Sequence, residues 1–197
     1  MKTKHLIWVV LGVILAAGLV IAGTWAMLRT VNSPAEPTPV AEATSPEATP
    51  APVPPRPACP AGGVGGVELP CLGAEGAGDA GVDKQITVAN VWAWWCGPCR
   101  EELPYFEEFA QAHPEYNVVG VHADTNAGNG AALLTELGIS LPSYQDADNT
   151  FAGTLGLPGV IPITVVFDGD NQIAMFPRTF TSAEQIYQAV QEAENAP

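Results

Sequence analysis

The chain contains the stretch Val91-Trp92-Ala93-Trp94-Trp95-Cys96-Gly97-Pro98-Cys99-Arg100, in which an apolar run ends in two cysteines two residues apart. Before the cysteines, Ile86–Trp92 is rich in β-branched and aromatic residues, which predicts a buried strand. After them, residues 99–109 combine helix formers with apolar side chains at helical spacing, which predicts a helix. The sequence therefore places a dithiol where a strand passes into the start of a helix.

Cys96 stands before the first turn of this predicted helix. The backbone N–H groups at a helix start have no partner within the helix, and they carry the positive end of the helix dipole. Both effects favour a thiolate over a thiol at Cys96. Pro98 fits the first helical turn, because its missing N–H costs no hydrogen bond there.

The motif Trp95-Cys96-Gly97-Pro98-Cys99 after a strand resembles the active-site motif of the thioredoxin superfamily, and its TlpA/ResA-like, membrane-anchored branch is the more similar one. The resemblance runs from about Gln85 to the C-terminus. It includes Pro104, five residues after the second cysteine, where the family's first active-site helix kinks. It also includes residues 159–168, which resemble the family's cis-proline loop and the strand after it.

The resemblance implies a role for each residue of the motif. Cys96 is the nucleophile, because the first cysteine of such a motif is exposed at the helix end while the second is covered. Cys99 then resolves the mixed disulfide that Cys96 forms. Pro162 follows a cis peptide bond and stands beside Cys96, which leaves the backbone of Ile161 free to pair with an extended substrate. Pro158 is the weaker candidate for the cis bond, because no strand follows it directly. The residues expected to contact the substrate are Trp95, Gly97, Pro98 and Ile161.

Thiol exchange also needs a group that takes the proton from Cys99. Thioredoxin carries a buried aspartate six residues before its first cysteine, and this chain has Asn90 there, which cannot titrate. ResA-like proteins carry a glutamate three residues after the second cysteine, and Glu102 stands at that position, one helical turn from Cys99. Burial against the dithiol would raise the pKa of Glu102 toward neutrality. The alternative is that Glu102 is a solvated helix carboxylate.

The rest of the domain alternates strands and helices and then ends in a hairpin and a helix. This order predicts an α/β fold of thioredoxin type, a central mixed sheet flanked by helices. The predicted elements are a strand at Asn117–Ala123, a helix at Asn129–Leu137 ended by Gly138, an extended segment at Ser140–Asp146, a short helix at Asp148–Leu155, strands at Ile163–Phe167 and Gln172–Pro177 around a turn at Asp168–Asn171, and a last helix capped by Ser182 with Gln185 completing a capping box.

The N-terminal third of the chain divides into two further segments. The uncharged run Leu6–Leu28 would span about 35 Å as a helix, enough to cross a bilayer, and Lys2 and Lys4 favour a cytoplasmic N-terminus. Residues 30–57 are rich in proline and alanine and read as an extended linker. We therefore expect a membrane anchor at residues 1–29, a linker at 30–57 and the thioredoxin-like domain at 58–197, outside the cytoplasm. Cleavage near Ala26 is the alternative, and it would release the domain as a secreted protein.

Cys59 and Cys71 flank a glycine-rich stretch at the start of the domain. Outside the cytoplasm two such cysteines are expected to form a structural disulfide. The functional alternative is a second redox pair, or one cysteine that resolves against Cys96. A zinc site with all four cysteines would require spacing unlike that of zinc fingers, and His113 and His122 lie far in sequence from any second ligand, so we expect no metal.

The first functional hypothesis is a thiol–disulfide reductase that keeps exported cysteine-containing proteins reduced, such as the CxxCH of apocytochrome c, and is re-reduced by a membrane electron carrier. The second is an oxidase that uses the same residues with the electrons moving the other way. A non-catalytic metal-binding or copper-delivery module is the third. The dithiol itself carries the electrons, so no cofactor is expected. With 7 basic and 21 acidic residues, and a formal charge of -14, the chain is not expected to bind nucleic acid.

Overall fold

A computed structural model of the chain describes residues 52–78 and 85–196. The predicted membrane helix and most of the predicted linker lie outside these residues. No helix within the two described ranges is long and apolar enough to cross a bilayer. The elements in chain order are β1 (Cys59–Pro60), β2 (Ala77–Gly78), β3 (Ile86–Trp92), α1 (Gly97–Ala112), β4 (Asn117–His122), α2 (Ala127–Glu136), β5 (Ser143–Gln145), α3 (Thr150–Leu155), β6 (Ile163–Asp168), β7 (Asn171–Phe176) and α4 (Ala183–Glu194).

Five strands form the main sheet in the order β5-β4-β3-β6-β7. Strands β3, β4 and β5 are parallel, and β6 and β7 run antiparallel to their neighbours. The predicted thioredoxin-type mixed sheet is therefore confirmed. Strand β3 is central, and its pairing of Val91 with Ile163 brings the residues after β3 and the residues before β6 to the same edge of the sheet.

Strand β3 is buried on both faces, which explains its continuous apolar sequence. Val88 and Trp92 point to one face and pack with residues of α1 and α4, among them Phe106 and Ile186. The odd-numbered residues of β3 point to the other face, where the cluster includes Phe151 of α3. Helices on both faces thus hold the end of β3, and with it the cysteine motif, in a fixed position.

The predicted starts of α2 and α3 are shifted. Helix α2 begins at Ala127 rather than Asn129, because the side chain of Asn126 accepts the N–H of Asn129 and so caps the helix two residues earlier. Helix α3 begins at Thr150 rather than Asp148. Gly138, with φ 67°, follows the end of α2 as predicted.

The capping box predicted at the last helix is present in part. The Ser182 hydroxyl accepts the N–H of Gln185 at 3.2 Å, so Ser182 caps α4 as predicted. The Gln185 side chain, however, accepts the N–H of Thr181, one residue before the cap, rather than that of Ser182. The helix start is therefore held by the same two residues with one hydrogen bond displaced.

The segment before β3 lies along the edge strand β5. Leu72 donates its N–H to the Ser143 carbonyl, and Gln145 donates its N–H to the Pro70 carbonyl, both at 2.8 Å. Cys59 and Cys71 are joined, as predicted, and the bond closes the loop between them. Arg56 of the predicted linker also contacts the domain, because its guanidinium donates to the Ile139 carbonyl.

The Cys59–Cys71 bond is predicted to stabilise this segment and to stay intact during turnover. Replacing both cysteines with alanine should lower the free energy of unfolding by about 3 kcal/mol, because the bond closes a loop with a sequence separation of 12. Denaturant unfolding of the oxidised proteins measures the difference. The matched change Cys96→Ala/Cys99→Ala should cost less, about 2 kcal/mol, since that loop is shorter. An equal cost for the two pairs, or a Cys59–Cys96 link in non-reducing peptide maps, would contradict the prediction.

Candidate active site

Cys96 is the N-cap of α1, and Cys99 lies in the first turn of the helix. The backbone N–H of Cys99 donates to the Cys96 sulfur at 3.2 Å. The two cysteines are joined, with their Cα atoms 5.2 Å apart. When the bond is reduced, this N–H and the helix dipole stabilise negative charge on the Cys96 sulfur.

The two sulfur-bearing residues differ less in exposure than the sequence analysis expected. Cys96 keeps 5% of its surface exposed and Cys99 keeps 0%. The difference has the predicted direction, but in the bonded state Cys96 is largely covered as well. The solvent-exposed part of the motif is formed by Gly97 and Pro98 between the cysteines, and by Trp95 before them.

The peptide bond between Ile161 and Pro162 is cis, as predicted. Pro162 is buried and directly precedes β6, whose first residue pairs with Val91 of β3. The loop therefore lies at the sheet edge from which the chain passes to Cys96. Ile161 is half-buried and packs against both hydrophobic clusters of the domain.

An apolar cavity of about 190 Å³ adjoins this loop. Its lining includes Trp95, Val160, Ile161 and, from the end of α3 onward, Leu157 and Pro158. Trp95 is 57% exposed and Val160 is 55% exposed, although both side chains are large and apolar. Exposed apolar side chains around a cavity are typical of a surface that binds another molecule.

Glu102 lies one turn into α1 and is fully buried. Its Oε1 accepts a hydrogen bond from the Asn90 side-chain amide at 2.6 Å, and its Oε2 accepts the backbone N–H of Phe180 at 2.8 Å. Burial raises the pKa of Glu102 to about 7, although both hydrogen bonds favour the charged form and act in the opposite direction. A carboxyl group with this pKa exchanges its proton readily near neutral pH.

Asn90 cannot titrate, and the sequence alone gives it no other role. In the structure its side-chain amide, like the backbone N–H of Phe180, donates a hydrogen bond to Glu102. Residues 90 and 92 share one face of β3, and α1 packs on that face, so the alternation of the strand contained the signal for this contact. Glu102 is not the solvated carboxylate of the alternative reading.

A second contact that the sequence analysis missed involves Asp124, which follows β4. Its carboxylate accepts the indole N–H of Trp94 at 3.1 Å and the indole N–H of Trp95 at 2.9 Å. Strands β3 and β4 are parallel and Trp92 pairs with His122, so the residues after the two strands meet at one edge of the sheet. That register is the signal that could have identified Asp124.

The second disulfide has different surroundings. Cys59 is buried, and its sulfur lies 3.1 Å from the Ser143 carbonyl oxygen, a partner that does not stabilise a thiolate. Neither Cys59 nor Cys71 stands at the start of a helix. The structure thus places Cys96, Cys99 and Glu102 at the start of α1, and it places the other pair in a separate part of the domain.

The two histidines in the described part of the chain pack against aromatic side chains of the domain. His122 is buried with its ring 4.7 Å from that of Trp92, and its Nδ1 lies 2.9 Å from the side-chain oxygen of Gln145. His113 stacks on Tyr187. No group of three or more His, Cys, Asp or Glu side chains within residues 52–78 and 85–196 is arranged to hold a metal ion.

A CxxC disulfide at the start of a helix, where a strand of this mixed sheet ends, defines the chain as a thioredoxin-fold protein. The AhpC/TSA family profile matches residues 77–176, just over half of the chain. The chain belongs to the AhpC/TSA family, and the predicted similarity to ResA-like oxidoreductases is confirmed by its relatives.

Two curated relatives are similar over 86 residues. The chain is 28% identical to the thiol-disulfide oxidoreductase ResA of Bacillus thuringiensis (strain Al Hakam), and this match covers 43% of this chain and 49% of that protein. It is 31% identical to the probable thiol:disulfide interchange protein DsbE-2 of Pasteurella multocida (strain Pm70), and this match covers 43% of this chain and 44% of that protein. The chain therefore matches about half the length or less of these relatives.

A solved structure with a similar fold is that of a secreted thiol-disulfide isomerase from Corynebacterium glutamicum. Its sequence is 27% identical, its TM-score is 0.55, and the match covers 64% of this chain and 83% of that one. This match supports the fold over most of the described residues.

Proposed function

We propose that the protein is an extracytoplasmic thiol–disulfide oxidoreductase that reduces disulfides in exported proteins. The observation that carries the proposal is the position of Cys96 and Cys99 at the start of α1, one helical turn from a buried carboxyl group whose pKa is about 7. This arrangement supplies a nucleophilic sulfur, a second sulfur to resolve the intermediate and a proton acceptor.

The reaction begins with the reduced pair. The Cys96 thiolate attacks one sulfur of the target disulfide, forms a mixed disulfide and releases the other target sulfur as a thiolate, which takes up a proton. Glu102 then accepts the proton of the Cys99 thiol, and the Cys99 sulfur attacks Cys96. The bond to the target breaks, the second target thiol leaves, and the Cys96–Cys99 bond forms. Two electrons pass from the protein to the target, and a membrane electron carrier with a dithiol restores the reduced state.

The proposed substrates are exported proteins with cysteine pairs, and the CxxCH segment of an apocytochrome c is one example. The surface around Trp95, Gly97 and Pro98 would contact such a polypeptide, and the backbone of Ile161 would pair with it as an added strand. The exposed apolar side chains of Trp95 and Val160 support this assignment. No cofactor is needed, because the two cysteines exchange the electrons.

The extracytoplasmic location is part of the proposal. A disulfide distant from the CxxC motif, between Cys59 and Cys71, is typical of proteins in an oxidising compartment. The predicted anchor at residues 1–29 and the predicted linker at 30–57 would place the domain at 58–197 on the outer side of the membrane. The secreted Corynebacterium relative supports the same location.

The reduction potential of the Cys96–Cys99 pair decides the direction of electron transfer. We expect a value near or below about -270 mV, because the Gly97-Pro98 dipeptide is that of thioredoxin. The full chain is equilibrated in dithiothreitol or glutathione buffers, and the alkylated Cys96 and Cys99 peptides are quantified by mass spectrometry. The variant Cys59→Ala/Cys71→Ala serves as the control and should give the same potential. A value above about -180 mV would show that the protein is an oxidase.

A further inference from the structure

The Asp124 carboxylate holds the two consecutive tryptophans that precede the active-site disulfide. Its Oδ2 accepts the Trp95 indole N–H at 2.9 Å. Its Oδ1 accepts the Trp94 indole N–H at 3.1 Å and also the backbone N–H of Asn126 at 2.7 Å. Both carboxylate oxygens are therefore occupied, and one residue connects the loop before Cys96 with the loop after β4.

Asp124 is suited to hold these groups as a charged acceptor. Partial burial acts to raise its pKa, but the hydrogen bonds from Asn126, Trp95 and Trp94 together with the nearby His122 outweigh this effect, so the pKa of Asp124 lies below its ordinary value. The carboxylate is thus ionised at neutral pH. Hydrogen bonds to an ionised acceptor are stronger than bonds between neutral groups. The Asp124 backbone is fixed as well, because its carbonyl oxygen accepts a hydrogen bond from the Gln145 side chain.

The contact with Trp95 matters because this side chain is only partly packed against the fold. Trp95 is 57% exposed, whereas Trp94 is half-buried and packs against the hydrophobic core. An exposed side chain samples several rotamers unless a specific contact selects one. With its N–H bound to Asp124, the Trp95 ring forms one wall of the apolar cavity that Ile161 and Val160 also line.

We propose that Asp124 is a positioning residue for the reaction, which orients the Trp95 ring at the cavity next to the cis-proline loop and so favours polypeptide substrates over small disulfides. This assignment rests on the proposed function, since it concerns how the same dithiol meets its substrate. Asp124 does not touch the reacting sulfurs. It acts through Trp95, and its effect belongs to substrate binding more than to the exchange chemistry.

The substitution Asp124→Asn tests this role with little change in volume. The amide oxygen can still accept the N–H groups of Asn126 and Trp94, but the amide nitrogen in place of Oδ2 cannot accept the N–H of Trp95. The kinetic readout is the ratio of kcat/KM for insulin to kcat/KM for bis(2-hydroxyethyl) disulfide, which has no side chains to bind. We expect Asp124→Asn to lower this ratio roughly fivefold through KM for insulin, because an exposed charge-assisted hydrogen bond is lost. The exposed carboxylate Asp170 provides the matched control, and Asp170→Asn should leave the ratio unchanged.

A double-mutant cycle separates positioning from a general effect on the fold. Trp95→Phe keeps an aromatic ring without the N–H, so Asp124→Asn should have no further effect on the ratio in that background. The same fall in both backgrounds, or an equal loss of activity toward both disulfides, would overturn the proposal.

Acrylamide quenching of tryptophan emission supplies a readout that needs no activity. Asp124→Asn should increase the quenching, and the increase should vanish in the Trp95→Phe background. If the native chain reduced neither disulfide, the proposed function would fail, and the quenching cycle would still decide the role of Asp124. Unchanged quenching in Asp124→Asn would show that Asp124 does not hold Trp95.

Discussion

Cys96→Ser is expected to abolish the reduction of insulin disulfides, with a fall of at least roughly 1,000-fold in kcat/KM. The reason is the position of its sulfur. Cys96 caps α1, and the N–H of Cys99 donates to its sulfur at 3.2 Å, whereas Cys99 is fully buried within the first turn. A serine hydroxyl at this position is a far weaker nucleophile than a thiolate. The assay is the turbidity that insulin develops when its chains separate, followed with dithiothreitol as the electron source.

Cys99→Ser should give a different result from Cys96→Ser, although both cysteines belong to the same motif. The Cys96 sulfur still attacks the target, but no second sulfur resolves the intermediate, so a mixed disulfide with the substrate accumulates and is visible on non-reducing gels. Cys59→Ala/Cys71→Ala is the matched control and should keep its turnover at a temperature where it is folded. Equal alkylation rates for Cys96 and Cys99 in the reduced native protein would contradict the assigned roles.

The order of the fold and the position of the dithiol could be predicted because both depend on local patterns. The β-branched run before Cys96 gave the bounds of β3 correctly, and the helix formers after it identified α1. The resemblance to thioredoxin added the cis bond at Pro162, which periodicity does not reveal. The predicted start of α2 was wrong because Asn126 and Asn129 are both residues that can cap a helix. Only the folded chain shows that the Asn126 side chain accepts the N–H of Asn129.

The contacts that complete the site were not predicted because each joins residues from different elements. Asn90 and Glu102 are 12 positions apart, and Asp124 lies about 30 positions from the tryptophans that it binds. A motif search identifies the residues that react, but it gives no information on which side chains contact them. In this chain the strand register supplies that information. The alternation of β3 directs Asn90 toward α1, and the pairing of β3 with β4 brings Asp124 to the sheet edge where the chain passes to Cys96.

Glu102→Gln is expected to slow the resolution of the mixed disulfide roughly 100-fold at about pH 8, and to have little effect at about pH 6. Because the pKa of Glu102 is about 7, the native side chain is mostly ionised at the higher pH and accepts the Cys99 proton, whereas it is mostly protonated at the lower pH. The fold should persist. The side-chain oxygen of Asn90 has no hydrogen-bond partner among the described residues, so its amide can turn and accept from the introduced amide nitrogen.

Resolution can be observed directly with 5,5'-dithiobis(2-nitrobenzoate), which releases one coloured thiolate when Cys96 attacks and a second when Cys99 resolves the intermediate. Only the second phase should slow in Glu102→Gln. The exposed neighbour Glu101 provides the matched control, and Glu101→Gln should leave both phases unchanged. Equal rates in the two variants from about pH 6 to pH 8 would mean that water, not Glu102, takes the proton.

The same substitution should change how stability depends on pH, which gives a readout independent of turnover. The pKa of Glu102 rises from 4.5 to about 7 on folding, so between these values the folded chain holds a proton that the unfolded chain has released. The free energy of unfolding therefore falls as the pH rises through this window, and above it the native protein carries the full cost of a buried carboxylate. The glutamine of Glu102→Gln has no proton to lose in this pH window, so the free energy of unfolding of the variant should fall less across it. A decline as steep as that of the native protein would assign the pH dependence to another group.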